Sequence, residues 1–168
     1  MKYILLVTVL ALAGGHSLMC QAQANSTAIA ADAYGAISTE ALLAQYPQFA
    51  AEYTRYQPDA PAIEKMQSLH GLQLVVLFGS WCHDSEREVP RLLKLLQQSQ
   101  VAIDSLQLHA VNRQKQHPQQ LHTNYGLVYT PTIIVLQHGH ELGRIIERPQ
   151  QSLAEDLAEI ASKAVNKI

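Results

Sequence analysis

The sequence predicts a one-domain α/β protein in which a buried strand leads directly into a long helix. The apolar run from Leu74 to Phe78 stops at Gly79-Ser80-Trp81, which is typical of an inner strand of a parallel sheet. A second, β-branched run from Ile133 to Leu136 predicts another buried strand. The helix after the first strand has an apolar stripe, formed by Val89, Leu92, Leu93 and Leu96.

Length and charge narrow the class of protein. The chain has 168 residues and a formal net charge of −2, which suits one domain of ordinary size. It carries no strongly basic balance of the kind that attracts a polyanion. We therefore expect no nucleic-acid partner.

The first residues predict a secretory signal peptide. Lys2 precedes an apolar core from Tyr3 to Ala13, and a small-x-small site follows at Ala22-Gln23-Ala24. The apolar core is too short for a comfortable membrane span. We expect cleavage after Ala24, which would leave a periplasmic or secreted protein with no membrane span.

Lipid attachment at Cys20 is the alternative fate of this segment. The residues before Cys20, Ser17-Leu18-Met19, lack the small residue that such processing requires immediately upstream. Lipoprotein anchoring is therefore the less favoured hypothesis. Signal cleavage would leave Cys82 as the sole cysteine of the exported chain.

The segment between the signal peptide and the domain is predicted to be a leader followed by short helices. Residues 25 to 37 are small and polar without clear periodicity and predict no element. Ser38 can cap a helix that runs through Gln45, and Pro47 can start a second. The predicted organisation is a signal peptide (1–24), a leader with an N-terminal helical extension (25–59) and one domain (60–168).

The domain itself is predicted from local signals in chain order. Asp59 opens a helix that Gly71 ends, and Leu106 to Val111 forms a strand after the Cys82 helix. Pro118 can start a short helix, and His138-Gly139 turns the Ile133 strand into a hairpin. Ser152 and Glu155 form a capping box for the last helix.

Cys82 is the candidate nucleophile because it lies where the strand gives way to the helix. Unpaired N–H groups and the positive end of the helix macrodipole favour a thiolate at this position. A single cysteine in an oxidising compartment is also a candidate reactive thiol. The alternative is a buried, inert cysteine, which is common in proteins. The position directly after Trp81 favours the reactive interpretation.

The order of elements, with the residues on it, resembles thioredoxin over roughly residues 60 to 166. The shared features are Trp81-Cys82 after an apolar strand, Pro90 within the following helix, Tyr125-Gly126 before Thr130-Pro131-Thr132, and a glycine-turned hairpin. The resemblance implies a central mixed sheet flanked by helices. It also implies a cis Thr130-Pro131 bond lying against Cys82, with the backbone of Thr130 holding a substrate chain.

Two departures from the thioredoxin pattern limit the thiol–disulfide chemistry that this chain could carry out. The motif is Cys82-His83-Asp84-Ser85, so the second, resolving thiol is missing. A hydroxyl at Ser85 cannot form a disulfide, which removes intramolecular release of a substrate. Val76 stands where thioredoxins usually bury an aspartate, which is coherent with the loss of the second thiol. Both changes fit single-thiol chemistry, and both fit drift after redox function was lost.

The neighbours of Cys82 have opposing effects on its ionisation. His83, if charged and turned toward the sulfur, would favour the thiolate, and Ser85 could donate a hydrogen bond to it. Asp84 and Glu86 would disfavour the thiolate, although carboxylates in the first turn stabilise the helix in any case. The sequence does not decide whether these neighbours together favour the thiol or the thiolate of Cys82.

The histidines do not predict a metal site. His117, His122, His138 and His140 show neither the His-x-x-x-His spacing of a helical site nor a supporting cysteine pair. We therefore expect no metal and no cofactor.

These observations lead to two hypotheses of different classes. In the first, an exported protein carries out thiol–disulfide exchange through Cys82 alone, with Ser85 as the second candidate catalytic residue of the motif, and its partners are protein or small-molecule thiols and disulfides. A partner oxidoreductase could regenerate it. In the second, the chain is a redox-inactive thioredoxin-fold binding or chaperone-like module. The residues expected to bind substrate are Trp81, His83, Thr130 and Pro131.

Overall fold

The structure of the chain, a computed structural model, describes residues 31–165. The predicted signal peptide, Cys20 and the start of the predicted leader lie outside these residues. Among the described helices, none has both the length and the apolar character needed to cross a membrane.

The described chain folds as an α/β protein. The strands are β1 (Gly35–Ile37), β2 (Gln73–Phe78), β3 (Ser105–Ala110), β4 (Thr132–Gln137) and β5 (His140–Ile146). The helices are α1 (Thr39–Gln45), α2 (Pro47–Arg55), α3 (Ala60–Lys65), α4 (His83–Ser99), α5 (Leu121–Asn124) and α6 (Leu153–Val165), with a 3-10 turn at Met66–Leu69.

The strands form one mixed sheet in the order β1-β3-β2-β4-β5. β2 lies at the centre, parallel to β3 and antiparallel to β4. The outer pairs, β1 with β3 and β4 with β5, are antiparallel. This arrangement confirms the predicted central mixed sheet flanked by helices.

One part of the predicted leader is wrong, because Gly35–Ile37 forms an edge strand. Gly35 pairs with Ala110 and Ile37 with Leu108, so the segment belongs to the sheet. Three residues are too few for an alternating pattern to be visible in the sequence. The neighbouring strand β3, distant in sequence, supplies the hydrogen bonds that make this segment a strand.

The predicted capping residues are observed. The Ser38 hydroxyl accepts a hydrogen bond from the backbone N–H of Ala41, and the Asp59 carboxylate accepts one from Ala62. The Ser152 hydroxyl accepts a hydrogen bond from the backbone N–H of Glu155, as in a capping box, and donates one to the Glu155 carboxylate. The short helix expected from Pro118 begins only at Leu121, because Gln120 has a left-handed backbone (φ 61°) that a helix cannot include.

The two faces of the sheet are covered differently. On one face, α1, α2, α4 and α6 enclose a large apolar core, which we call the main core. On the other face lies a smaller group, which we call the small cluster: Val75, Leu77, Val111, Ile134 and Leu136. Partly buried side chains of residues 121 to 127 cover the small cluster, so α5 and the chain that follows it form a thin layer there.

Candidate functional site

Cys82 is the N-cap of α4. Its backbone is extended (φ −99°, ψ 121°), and its carbonyl accepts the first helical hydrogen bond, from the N–H of Glu86 at 2.9 Å. Its own N–H donates to the carbonyl of Gly79 at 3.0 Å, which closes a turn between β2 and α4. Cys82 is a free, half-buried cysteine at the positive end of a 17-residue helix.

The sulfur of Cys82 lies against the loop before β4. The Cys82 Sγ is 3.1 Å from the carbonyl oxygen of Thr130, and the Thr130–Pro131 bond is cis, the isomer that the resemblance implies. Thr130 and Pro131 are both buried. A carbonyl oxygen can only accept, so in this arrangement the sulfur donates as a thiol.

The loop that carries Thr130 is anchored at several backbone groups. The Lys115 ammonium donates to the carbonyl of Val128 at 2.7 Å, and the Thr132 hydroxyl donates to that of Tyr129 at 2.7 Å. The carbonyl of Pro131 accepts from the N–H of Glu147 at 2.7 Å. The side chains of Val128 and Tyr129 are 60% and 48% exposed, so the anchored loop presents apolar surface to solvent beside Thr130.

Trp81 lies directly on the turn that precedes Cys82. Its indole N–H donates to the carbonyl of Val111 at 3.2 Å. A Cβ placed on Gly79 would come within 2.6 Å of Cε2 of the indole. Gly79 is therefore needed so that the ring can lie against the backbone of the turn.

Ser85 is fully buried in the first turn of α4, and its hydroxyl contacts the turn instead of the sulfur. The hydroxyl accepts a hydrogen bond from the N–H of Gly79 at 3.3 Å. The sequence analysis considered a hydrogen bond from Ser85 to the thiolate, and the structure gives this hydroxyl a different partner. Ser85 thus joins the start of α4 to the end of β2.

The charges near the sulfur are arranged in pairs. Asp84, which the sequence left undecided, contacts Arg87 at 3.1 Å and Arg148 at 2.8 Å. His83 is almost fully exposed, and its Nδ1 lies 3.3 Å from the carboxylate of Glu86. The two arginines offset the charge of Asp84, and His83 is turned toward Glu86.

The position beneath the turn is apolar. Val76 is fully buried in the main core, and its strand partners are Leu108 and Ile133. The structure therefore places an aliphatic side chain where the thioredoxin pattern has an acid. Across residues 31–165, no group of three or more His, Cys, Asp and Glu side chains is arranged to hold a metal ion.

The structure brings Trp81, Cys82, Thr130 and Pro131 together and leaves His83 at the exposed rim. Sequence reasoning missed three contributors: Arg148, the backbone carbonyl of Val111, and the Asp32–Arg113 ion pair beside Trp81. No local pattern marks them, because each reaches the site from a distant part of the chain.

Comparison with known proteins agrees with this geometry. A family model described as Thioredoxin matches residues 37–160. The sheet order, the helix after the Trp81-Cys82 turn and the adjacent Thr130-Pro131 loop define a thioredoxin fold, in which Cys82 is the one cysteine among residues 31–165. The chain belongs to the thioredoxin family.

Solved structures support the fold alone. A protein of unknown function from Pseudomonas aeruginosa is similar with a TM-score of 0.58 and 15% identity, covering 79% of this chain and 94% of its own. An HIV epitope-scaffold is similar with a TM-score of 0.52 and 16% identity, covering 73% of this chain and 85% of its own. The search of curated proteins gives no significant match.

Proposed function

We propose that this protein is an exported thiol–disulfide oxidoreductase that works through Cys82 alone. The observation that carries the proposal is the position of the sulfur, which is half-buried at the N-terminus of α4 beside the Thr130–Pro131 loop. Reactive cysteines of this kind occur at helix N-termini in partly exposed sites. The apolar rim of Val128 and Tyr129 and the backbone of Thr130 are suited to an extended substrate chain.

The exchange begins with the Cys82 thiolate. Its sulfur attacks one sulfur of a substrate disulfide, forms a new S–S bond with it and breaks the original bond, and the second substrate sulfur departs as a thiolate that takes up a proton. An external thiol, from a small molecule or a partner protein, then attacks this mixed disulfide through its own thiolate. The electron pair of the broken bond returns to Cys82, and the substrate leaves joined to the external thiol.

Export accounts for the supply of disulfides. The signal-like segment from Lys2 to Ala24 directs the chain to the periplasm or the exterior, where disulfides persist. Partners in that compartment are protein or small-molecule thiols and disulfides. Since Ser85 cannot resolve the mixed disulfide, the protein depends on one of these partners for turnover.

The experiment compares the native motif with one that regains a second thiol. Native protein, Cys82→Ser and Ser85→Cys are mixed with a disulfide-bonded peptide, quenched with acid and analysed by intact mass. Native protein should accumulate a mixed disulfide that reduced glutathione resolves. Ser85→Cys should release the reduced peptide and form an internal disulfide, and Cys82→Ser should form no adduct. Equal adducts on native protein and on Cys82→Ser would refute the proposal.

A second candidate function, a redox-inactive binding module, is favoured by one specific observation. Thr130 accepts a hydrogen bond that only the thiol form of Cys82 can donate. A module that binds chains without exchange would keep this arrangement. Alkylation of the folded protein by iodoacetamide across a range of pH separates the two functions. Slow alkylation that rises only near the pH of an ordinary thiol, with no mixed disulfide, would favour the binding module.

A further inference from the structure

The N-terminal segment from Ala31 to Ile37 is fastened to the turn that precedes Cys82. The N–H of Ala33 donates to the Ser80 hydroxyl at 2.8 Å in a buried contact, and the Tyr46 hydroxyl donates to the carbonyl of Ala31 at 3.0 Å. Ala33 is itself buried. Pairing of β1 with β3 holds the far end of the segment, so both of its ends are fixed.

An ion pair connects this segment to the indole of Trp81. The Arg113 guanidinium donates to the carboxylate of Asp32 through Nε at 2.7 Å and through a terminal nitrogen at 3.3 Å. Its Cζ lies over the Trp81 ring, 5.9 Å from the ring centroid, within the range of a cation–π contact. The fork of the guanidinium fixes the plane in which it meets a carboxylate.

The Asp32–Arg113 ion pair is partly exposed to solvent. The side chains of Arg113 and Asp32 are 66% and 38% exposed, and ion pairs in such positions add little to folding stability. The pair nevertheless joins residues 81 positions apart and ends on the residue that precedes the cysteine. Without Asp32, the guanidinium loses the partner that orients it over the indole.

We propose that Asp32 and Arg113 are positioning residues for Trp81. The N-terminal segment supplies the carboxylate that orients Arg113, Arg113 holds the indole against the turn, and the indole sets access to the Cys82 sulfur. Only the expected effect of these residues on thiol–disulfide exchange rests on the proposed function. The position of the indole is measurable in the absence of any activity.

The test uses the single tryptophan of the chain as the probe. Quenching of Trp81 fluorescence by acrylamide, a neutral quencher, is compared in the native protein, Asp32→Asn, Arg113→Gln and Asp32→Glu. An exposed cation–π contact shifts a conformational population by about two- to fivefold, so we expect the quenching constant to rise by up to that factor in Asp32→Asn and Arg113→Gln. Asp32→Glu, which keeps the carboxylate, should restore part of the native value.

A matched control is Lys65→Gln, which removes the exposed ion pair between Lys65 and Glu155 on α6. The quenching constant of Trp81 in this variant should equal that of the native protein. Unchanged quenching in Asp32→Asn, or an equal rise in Lys65→Gln, would overturn the proposal. Formation of the mixed disulfide at Cys82 should slow by the same two- to fivefold in Asp32→Asn. If native protein forms no mixed disulfide, the proposed function fails, while the quenching results still decide the role of Asp32.

Discussion

The two faces of the central sheet differ in what holds their covering layers. The main core consists of apolar side chains from several helices, most of them fully buried. The small cluster has five apolar residues and, beside them, His109 and His117, whose rings are buried with centroids 5.0 Å apart. One ring nitrogen of each of these histidines lacks a hydrogen-bond partner among the described residues.

The functional contacts also divide between the two faces. The main core holds α4 in place and therefore fixes the position of Cys82 relative to the sheet. The other side of the sheet supplies the Val111 carbonyl that holds Trp81 and the Lys115 contact that anchors the loop before Thr130. We infer that the main core provides most of the stability and that these polar contacts on the other side set the geometry around the sulfur.

Truncation of one leucine on each face of the sheet should give the largest difference in stability between two variants. Leu92→Ala opens a cavity in the main core and should lower the free energy of unfolding by about 2–5 kcal/mol. Leu121→Ala in the thin layer removes a partly buried side chain and should cost about 1–2 kcal/mol. Urea denaturation measures both. Equal losses for the two variants would contradict the proposed division between the faces.

Gly79→Ala should have the next largest effect, because its Cβ would meet the indole of Trp81. We expect a loss of about 1–3 kcal/mol from this overpacking, measured by urea denaturation, together with increased fluorescence quenching of Trp81. The control is the same substitution in a Trp81→Ala background, where the clash partner is absent. A cost of the same size in that background would show that the clash is not the cause.

Stability should fall as the pH falls through a window set by His109 and His117, the histidines beside the small cluster. Burial lowers the pKa of His109 from 6.5, with His117 adding to the effect, and burial and His122 lower the pKa of His117. Both are neutral in the folded and unfolded chain above pH 6.5. As the pH falls below 6.5, the unfolded chain binds protons first. Each histidine then reduces stability by at most about 1.4 kcal/mol per pH unit until its folded pKa is reached.

The matched variants for this prediction keep the neutral hydrogen-bonding groups. His117→Asn retains an acceptor near Nδ1, which receives the N–H of Gln119, and His109→Gln removes the other imidazole. Urea denaturation between pH 7 and pH 5 should show a flatter slope in the double variant. A slope equal to that of the native protein would contradict the prediction. Burial would raise the pKa of Glu52, but hydrogen bonds from Arg91 and Arg55 lower it overall, so its contribution is lost only at lower pH.

Arg148→Gln should have the smallest effect of these substitutions, and it should change mainly the reactivity of the Cys82 sulfur. Arg148 is largely exposed, so its loss should cost at most about 1 kcal/mol of stability. Asp84 would then be less well compensated, and the alkylation rate of Cys82 at fixed pH should fall by a factor of about 1.5–5. The double variant Arg148→Gln with Asp84→Asn should recover the native rate. No recovery would show that Arg148 acts otherwise than through Asp84.

The candidate site was predictable where its residues are adjacent in the chain. Trp81, Cys82 and the start of α4 follow from an apolar run, a break and a helical stripe, all of which are local signals. Thr130 and Pro131 were placed near Cys82 by the resemblance to thioredoxin, because no local pattern relates two segments 48 residues apart. Arg148, Asp32 and Arg113 were not predictable, since single charged residues in loops have no periodicity.

The sequence by itself determined the α/β class, the capped helices, the glycine turns and the position of Cys82 at a strand-to-helix junction. Each depends on neighbouring residues and on backbone preferences that are local in the chain. Only the tertiary structure decided that Gly35–Ile37 joins the sheet, that Ser85 bonds to Gly79 and that Asp84 is paired with arginines. These outcomes require partners that folding brings together, because a backbone edge or an exposed charge has no preferred partner until the chain is compact.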